Sequence, residues 1–406
     1  MSAAVLRSFS IAEAARDFFW PVYETGLLKR LSAHVSREWS RLSGRLKVTI
    51  RDVARAAGVS VTSVSRHLNG QISLPEPTAS RIRLAAERLG YHPNAIARRL
   101  SRGKSETLGL ITADIAYPLF AEIASASEAE AARHGYNLLM FNSRNLVEKE
   151  ISFLSRIDDR QVDGILLLTN HHDDGRLLRR INETGNVVLL DEDVPGAKAP
   201  RLFADNVQGG LLATRHLISL GHTRIAAIGG PEGLLSTTER LDGFTRALGE
   251  AGLEADPALL RFCEYEEAPA SVAFLDLLRQ DEPPTAVFTF GDMLATGAMR
   301  AARQAGIRVP DDISLVSFDD IHNADLLAPA LTTVRQSAAE FGTRGVNMLL
   351  DFIAGRKSGT AVERVGVELV IRSSVAPPHG RPSGRPIVHT GSGSPDGLPV
   401  PAWEEK

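Results

Sequence analysis

The chain of 406 residues contains a single cysteine, Cys263, and no feature typical of a secreted or membrane protein. One cysteine permits no intrachain disulfide and no zinc site built from several thiolates, which favours a reducing compartment. No apolar run approaches the roughly 20 residues that a membrane-spanning helix needs. Residues 1–10 lack the continuous apolar stretch of a secretory signal peptide. We therefore expect a cytoplasmic protein with no membrane partner.

The signatures of several common enzyme classes are also missing. The sequence contains no GxxxxGKS/T, no HExxH and no GxSxG motif. The stretch 229–233 (Gly-Gly-Pro-Glu-Gly) lacks the GxGxxG order of a dinucleotide site, and the adjacent His171 and His172 rarely face one ion in such an arrangement. We expect no catalytic residue, no cofactor and no metal. Two alternatives stay open, a sugar-processing enzyme and a solute-binding protein, each carrying a DNA anchor.

Charge is unevenly distributed along the chain. The whole sequence carries 46 Lys and Arg against 49 Asp and Glu, a net charge of −3. The segment 41–104 carries 13 Lys and Arg against 3 Asp and Glu. A basic segment on an acidic body indicates a polyanionic partner for that segment, although charge alone also fits a solvated surface.

The composition divides the chain into five parts. Residues 1–47 form an N-terminal extension, either disordered or upstream of the true start, and we favour the second because a natural beginning follows them. Residues 48–93 have the pattern of a compact helical unit, and 94–105 that of a hinge helix and linker. Residues 106–373 alternate between strand and helix patterns. Residues 374–406 are rich in Pro, Gly and Ser, which is typical of a disordered tail.

Two short helices joined by a tight turn are predicted within the helical unit. Thr49 and Asp52 have the spacing of a capping box, and Gly58 suits a left-handed turn. Ser60 is placed to cap the second helix. A third helix, about residues 77–89, closes a small core through Ile82, Ala85, Ala86 and Leu89. This pattern predicts a helix-turn-helix whose second helix fits the DNA major groove, although such corners also occur in structural proteins.

Short apolar runs alternate with amphipathic stretches from residue 108 onward. Runs of four or five residues, such as 108–111, 164–168 and 225–228, suit strands buried on both faces of a parallel sheet. Helical stretches such as 209–220 lie between them. The alternation predicts doubly wound parallel α/β sheets, and its length predicts two lobes with a cleft between them. The expected fold is a small all-α domain followed by this two-lobed α/β core.

A short helix-capable piece, residues 95–100, follows a chain break at 91–94. It is too short to be helical in isolation. We expect it to fold against DNA and against the same piece of a second subunit, with Leu100 as an apolar wedge in the minor groove. A plain basic linker, with Leu100 covered by the neighbouring lobe, is the alternative.

The order of these motifs resembles the lactose-repressor/galactose-repressor family. Residues 48–60 read VTIRDVARAAGVS, and they are followed at the family's spacing by Val64-Ser65-Arg66, Leu68-Asn69, Gly90-Tyr91, Pro93-Asn94 and Leu100. The resemblance continues to about residue 373. It implies a homodimeric transcription regulator, a repressor, that binds a palindromic operator in double-stranded DNA. It also implies that the core is periplasmic-binding-protein-like, as in sugar-binding proteins.

The resemblance implies a set of DNA contacts. Val61, Thr62 and Arg66 would read base edges in the major groove. The backbone-positioning residues would be Thr49, Ser60, Ser65, Asn69, Thr78 and Tyr91, and the minor-groove residues would be Asn94, Ala97 and Leu100. The chemistry agrees for Arg66, whose guanidinium can donate a bidentate pair of hydrogen bonds to guanine.

A small-molecule effector, a sugar or a related metabolite, is expected between the lobes. Ligands of open α/β sheets bind at the carboxyl ends of strands, where polar residues converge here. The strand ends and the resemblance together indicate Asp114, Phe120, Glu192, Arg240, Asp292, Asp319 and Gln336 as contacts. The stretch 191–193 also reads as a charged loop without a ligand.

Two observations refine this expectation. Arg240 is predicted to open a helix, where a cation opposes the helix dipole, so that a binding role is favoured. Tyr117 and Gly291 depart from the family pattern, which argues against a simple common hexose. Release of DNA on effector binding and its opposite, corepression, use the same parts and stay open.

Overall fold

The computed structural model describes residues 48–69, 72–91 and 104–378. The chain divides into two compact units, one within residues 1–103 and one within residues 104–406. The predicted N-terminal extension and the predicted hinge helix lie outside the described residues.

Three helices make up the first unit: α1 (Ile50–Ala57), α2 (Val61–Leu68) and α3 (Glu76–Leu89). The predicted capping box begins α1, because the main-chain N–H of Thr49 donates to the Asp52 carboxylate at 3.0 Å. The helix ends at Gly58, whose φ of 65° lies in the left-handed region that favours glycine. The tight turn that the sequence predicts therefore separates α1 from α2.

A small apolar core holds the three helices together. Its buried members are Val53, Ala54, Ala57, Val64, Ile82 and Ala85. The sequence also predicts Leu89 in this core, but that side chain is 37% exposed. It is the last residue of α3, directly before the left-handed Gly90, and so lies at the margin of the unit.

The second unit contains two six-stranded sheets with helices on their faces. In chain order its elements are β1 (Thr107–Thr112), α4 (Pro118–Arg133), β2 (Asn137–Asn142), α5 (Val147–Asp158), β3 (Gly164–Leu167), α6 (Arg176–Thr184), β4 (Val187–Leu190), β5 (Arg201–Ala204), α7 (Asn206–Ser219), β6 (Ile225–Gly229), α8 (Leu235–Glu250), β7 (Leu260–Phe262), α9 (Glu267–Leu278), β8 (Ala286–Thr289), α10 (Asp292–Gln304), β9 (Ser314–Asp319), β10 (Thr332–Gln336), α11 (Ala338–Ile353), β11 (Val362–Val365) and β12 (Val367–Val370). A short 3-10 turn (Pro257–Leu259) precedes β7.

The two sheets define two lobes. The first lobe has the strand order β11-β5-β4-β3-β1-β2, and the second has β12-β10-β9-β8-β6-β7. All neighbours in the first sheet are parallel, which confirms the predicted doubly wound class. In the second sheet β12 departs from that prediction, because it runs antiparallel to β10. The single residue Gly366 connects β11 of the first sheet to β12, which is an edge strand of the second sheet.

The chain passes between the lobes three times. The crossings lie between β5 and α7 at Asp205, between β10 and α11 at Ser337, and between β11 and β12 at Gly366. Two of them are hydrogen-bonded side by side, because the main-chain N–H of Asp205 donates to the carbonyl of Val365 at 2.9 Å. The first lobe is therefore built from two separate segments of the chain.

The second lobe extends further along the chain than the sequence predicts. The disordered tail is predicted to begin at residue 374, yet Ser374 is fully buried. Its hydroxyl accepts from the N–H of Thr332 at 2.8 Å and donates to the carbonyl of Leu315 at 2.6 Å. The carbonyl of Ala376 bonds to His222 Nε2 at 2.9 Å. These bonds satisfy polar groups at the starts of β9 and β10 and on the neighbouring His222, so the ordered chain continues at least to Ala376. In the described part of the chain, no helix is long and apolar enough to cross a bilayer.

Candidate functional site

The residues predicted to read bases lie along one side of α2. Val61, Thr62 and Arg66 are exposed, and at about 100° per residue they span an arc of about 140°. Val64 lies outside that arc and is buried in the small core. The arc therefore presents an apolar group, a hydroxyl and a guanidinium together to the outside of the unit.

Three predicted phosphate contacts, Ser60, Ser65 and Asn69, also form local hydrogen bonds that stabilise α2. The Ser60 hydroxyl accepts from the N–H of Ser63 at 3.0 Å and so caps the helix. At the other end, Asn69 Nδ2 donates to the Ser65 hydroxyl at 3.4 Å. Both ends of α2 thus carry polar side chains that are held in place by local hydrogen bonds.

The remaining predicted DNA contacts are distributed around the unit. The Thr49 hydroxyl donates to the Asp52 carboxylate at 2.7 Å. Thr78 lies in the first turn of α3, and Tyr91 packs against the small core. The three predicted minor-groove residues, Asn94, Ala97 and Leu100, lie outside the described residues.

A second cluster of polar residues lies where the two lobes of the second unit meet. The hydroxyl of Tyr117, just before α4 of the first lobe, donates to Asp319 Oδ2 at 2.5 Å. Asp319 ends β9 of the second lobe, and its Oδ1 accepts from Gln336 Nε2 at 2.7 Å. Burial raises the pKa of the Asp319 carboxyl, and the nearby Arg240 opposes that rise. Burial and the Asp319 charge also raise the pKa of Tyr117 well above its ordinary value.

Arg240 is buried and surrounded by partners. Its Nε donates to Asn206 Oδ1 at 2.9 Å, and its Nη1 donates to the carbonyl of Phe290. The guanidinium lies over the Phe318 ring, 3.7 Å from the centroid, and 3.8 Å from Asp319 Oδ1. This geometry fixes the cation in the floor of the cleft.

The reason for which the sequence singles out Arg240 is wrong. Helix α8 begins at Leu235, so Arg240 lies in its second turn and not at its opening. The true opening is capped from the other lobe, because the Glu192 carboxylate accepts from the N–H of Leu235 at 2.8 Å and of Ser236 at 3.2 Å. The Ser236 hydroxyl also donates to Glu192. Burial, with the neighbouring Asp191 charge, raises the pKa of Glu192 to about 7.

The other predicted effector contacts occupy different depths of the cleft. Asp292 is buried, and its carboxylate accepts from the Thr333 hydroxyl at 2.8 Å and from the N–H of Ile321 at 2.9 Å. Phe120 is buried against Tyr117, with ring centroids 4.9 Å apart. Asp114 is exposed and accepts from the N–H of Ala116 at 3.0 Å. Of these three, Phe120 and Asp114 line the larger cavity of the cleft, whereas Asp292 is enclosed by its protein partners.

The cleft contains two adjoining cavities. The inner one, of about 20 Å³, is lined by Tyr117, Leu119, Phe120, Asn170, Asp191, Ser236, Arg240, Tyr265 and Asp319. The outer one, of about 310 Å³, is lined by Ala113, Asp114, Tyr117, Phe120, Arg144, Asn145, Asn170, Glu264, Tyr265 and Glu266. The outer cavity alone has the volume of a small-molecule site, and the inner one has room for about one water.

Two aromatic residues of the cleft were not among the predicted contacts. Tyr117 stood out only as a departure from the family pattern, and Tyr265 follows β7, a three-residue strand too short to predict from apolar runs. A Cβ on Gly291 would lie 3.3 Å from both the Tyr117 hydroxyl and the Tyr265 ring. A Cβ on Gly230 would lie 2.1 Å from Tyr265. The departure at Gly291 thus makes room for both tyrosines, and Gly230 makes room for Tyr265.

His171, the first of the two adjacent histidines, is bonded within the first lobe. His171 Nε2 bonds to the buried Glu150 carboxylate at 2.9 Å, and the hydrogen bond to Glu150 raises the pKa of His171. Ser143 and Thr169 donate to the same carboxylate at 3.1 and 3.2 Å. Among the described residues no group of three or more His, Cys, Asp or Glu side chains is placed to hold a metal ion.

Comparison with known protein families gives two matches. Residues 49–94 match the family described as bacterial regulatory proteins, lacI family. Residues 214–375 match the periplasmic binding protein-like domain. The first match covers the helix-turn-helix unit, and the second covers most of the second lobe together with part of the first.

Curated relatives resemble nearly the whole described chain. The HTH-type transcriptional repressor PurR of Edwardsiella ictaluri is 35% identical over 331 residues, which are 81% of this chain and 97% of the relative. The HTH-type transcriptional repressor CytR of Escherichia coli K12 is 33% identical over 326 residues, 80% of this chain and 96% of the relative.

Solved structures have the same architecture. A lac repressor dimer bound to operator and the anti-inducer ONPF has a TM-score of 0.71 at 27% identity and covers 81% of this chain and 99% of its own. The regulator CelR in complex with cellobiose has a TM-score of 0.62 at 30% identity and covers 80% of this chain and 99% of its own. Sequence, domain order and fold agree, and the chain belongs to the lacI family of bacterial regulatory proteins, which are DNA-binding transcriptional regulators.

Proposed function

We propose that this chain is a cytoplasmic transcriptional repressor that binds a palindromic operator as a homodimer and responds to a small molecule held between its two lobes. Two relatives are named transcriptional repressors, and a similar structure is a dimer on its operator. A two-fold dimer presents two recognition helices to two half-sites, so that the operator mirrors the symmetry of the protein. The junction of Tyr117, Asp319 and Arg240 is the observation that carries the proposal.

The DNA-reading role falls on α2. Val61 and the methyl group of Thr62 suit contact with a thymine methyl, and Arg66 suits a bidentate contact to guanine, worth about 1–3 kcal/mol of discrimination. Ser60, Ser65 and Asn69 carry hydroxyl and amide groups that suit phosphate contacts, as do Thr49, Thr78 and Tyr91 elsewhere in the unit. For the minor groove we retain Asn94, Ala97 and Leu100, which rest on the resemblance of the motif alone.

The effector role falls on the residues at the lobe junction. Tyr117 and Asp319 join opposite lobes directly, and Arg240 lies beside them with its charge fixed. A ligand that reaches Asp319 must compete with the Tyr117 hydroxyl, and it therefore changes a contact between the lobes. Gln336, Phe120 and Asp114 complete the polar and aromatic surroundings. Asp292 and Glu192 act on the site indirectly. Asp292 positions the loop after β9, and Glu192 positions the start of α8.

Control of DNA binding follows from this competition. A ligand shifts the arrangement of the lobes only as far as it prefers one arrangement over the other. CelR is solved with cellobiose and the lac repressor with ONPF, and by analogy we propose a sugar or a related metabolite as the effector. We propose no enzymatic reaction, because membership of a regulator family favours this reading over the enzyme and the solute-binding protein.

Operator selection tests the proposal directly. The purified full chain is incubated with random double-stranded DNA, and the bound fraction is sequenced at a fixed salt concentration. We expect a palindrome with half-sites one helical turn apart, about 10 base pairs. Binding that enriches no sequence and falls steeply with salt would overturn the proposal, because it would reflect phosphate contacts alone.

A further inference from the structure

The cleft contains a buried carboxylate without a protein partner. Asp191 directly follows β4, is 9% exposed, and has a φ of 69° in the left-handed region. Its Oδ1 is shielded from solvent and accepts no hydrogen bond from the described residues. Only its main chain is bonded, through its N–H to the carbonyl of Leu202 at 3.0 Å. A buried acceptor left in this way is unfavourable for the protein alone, so its retention points to a ligand.

Arg240 donates no hydrogen bond to Asp191, although its positive charge opposes the rise of the Asp191 pKa. Among the described residues that line the inner cavity, Arg240 is the one with a positive charge. Its donors are directed to Asn206 and Phe290, and its face lies on Phe318. Asp319, 3.8 Å from the guanidinium, shares its charge. Burial raises the pKa of Asp191 to about 6, which agrees with a carboxylate that lacks a close donor.

The outer cavity increases the negative charge. Its lining adds one cation, Arg144, and three carboxylates, Asp114, Glu264 and Glu266. Together the two cavities are lined by five carboxylates and two guanidinium groups. Such a cleft attracts a cation and repels a phosphate or a carboxylate. The rings of Tyr117, Phe120 and Tyr265 form its walls, and aromatic faces also attract cations.

Resting on the proposed function, we propose that the effector is a small ring-shaped molecule that bears a protonated amine and no anionic group, and that Asp191 receives the amine. Asp191 then pairs with a ligand charge inside the cleft, while Asp319 exchanges the Tyr117 hydroxyl for a second donor of the ligand. The relevant ligand class is that of amino sugars.

The first measurement concerns the ligand-free protein. Asp191→Asn in the full chain removes an unpaired buried charge, so its melting temperature should exceed that of the wild type at pH 8, and the gain should shrink towards pH 5. The matched control is Asp163→Asn in the same lobe, because Asp163 accepts from the N–H of Ser105 at 2.6 Å and of Glu106 at 3.1 Å. The control should melt at a lower temperature than the wild type. An Asp191→Asn variant that loses stability as the control does would overturn the proposal.

The second measurement compares ligands of one ring size and three charges. Glucosamine, galactosamine and mannosamine are titrated against the wild type beside glucose, galactose, mannose, glucuronate and galacturonate, with binding followed by melting temperature and calorimetry. We expect at least one amino sugar to bind, and its affinity to fall at least tenfold in Asp191→Asn but not in Asp163→Asn. The proposal is wrong if no amino sugar binds, or if a uronate or a neutral hexose binds equally well to the wild type and to Asp191→Asn.

Failure of this inference differs from failure of the proposed function. If a neutral or anionic compound releases the protein from the selected operator, the proposed regulatory function is upheld and the proposed amine effector is refuted. If operator selection enriches no sequence, the proposed function fails whatever the Asp191 variants show.

Discussion

The Tyr117 hydroxyl of the first lobe donates to the Asp319 carboxylate of the second lobe at 2.5 Å, across the cleft that separates them. Each of the two residues also has a partner in its own lobe: Tyr117 packs on Phe120, and Asp319 accepts a hydrogen bond from Gln336. The lobes are thus joined by a hydrogen bond that involves two of the groups which line the inner cavity. A ligand at this point and the hydrogen bond between the lobes depend on the same carboxylate.

Tyr117→Phe should weaken this junction. It leaves a buried carboxylate oxygen without its donor, which costs about 1–3 kcal/mol. We expect the melting temperature to fall by several degrees and the radius of gyration in solution to increase slightly. Tyr136→Phe, a change at a half-buried tyrosine of the same lobe, should alter the free energy of unfolding by no more than about 0.5 kcal/mol. Equal effects of the two substitutions would contradict the assigned role of the bond.

Arg66→Ala should relax sequence preference in DNA binding. Loss of a bidentate contact removes about 1–3 kcal/mol of discrimination at one base pair, while other positions of the selected site keep theirs. The measurement is the affinity for the selected operator and for its single-base variants at one salt concentration. Arg83→Ala removes the same charge from α3, where Arg83 pairs with Glu76, and it should weaken all sequences equally. If Arg66→Ala also does no more than that, its base-reading role is refuted.

Glu192→Gln should change the pH dependence of stability. Burial raises the pKa of Glu192 to about 7, above its usual 4.5, so the folded protein binds the proton more tightly than the unfolded chain. This contribution to stability is complete below about pH 4.5 and is lost as pH rises through about 7. The variant lacks that loss, so its melting temperature should gain on the wild type between pH 5 and pH 8. A difference that stays constant over this range would show that Glu192 does not titrate there.

Gly291→Ala should disturb the two cleft tyrosines. The added methyl group would lie 3.3 Å from the Tyr117 hydroxyl and the Tyr265 ring, and crowding of this kind costs about 1 kcal/mol or more. Gly249→Ala offers the contrast, because no atom lies within 4 Å of its Cβ position and alanine favours the helix by about 0.5–1 kcal/mol. Urea unfolding of both variants should give opposite signs. A stabilised Gly291→Ala variant would mean that the tyrosines are not confined there.

The sequence predicts the elements whose stabilisation is local or uniformly apolar. The capping box at Thr49, the glycine turn at Gly58 and the apolar strands β1, β3, β4, β6 and β8 all follow from neighbouring residues. The start of α8 does not, because Leu234 at its N-cap offers no side-chain acceptor and the cap comes from Glu192 of the other lobe. For the same reason the sequence places Arg240 at the start of the helix.

The candidate effector site is predicted only in part. The polar strand ends at Asp191, Asp292 and Asp319 follow from the rule that ligands bind at the carboxyl ends of strands, and Gln336 follows from the family resemblance. Tyr265 does not follow from any rule of spacing. Tyr265 depends on a three-residue strand, and the isolation of Asp191 is a property of its three-dimensional surroundings, which the order of residues does not express.

The three crossings between the lobes determine which lobe is left incomplete when the chain is truncated. A polypeptide that stops after Ser337 would contain most of the second lobe. Its first lobe would lack both a helix and a sheet strand, because α11 and β11 come later in the chain. Biosynthesis from the amino terminus therefore leaves the first lobe unfinished until nearly all of the second has been made. Nonsense mutations between the codons for Ser337 and Val365 should then remove part of the first lobe, which is encoded first, as well as β12 of the second.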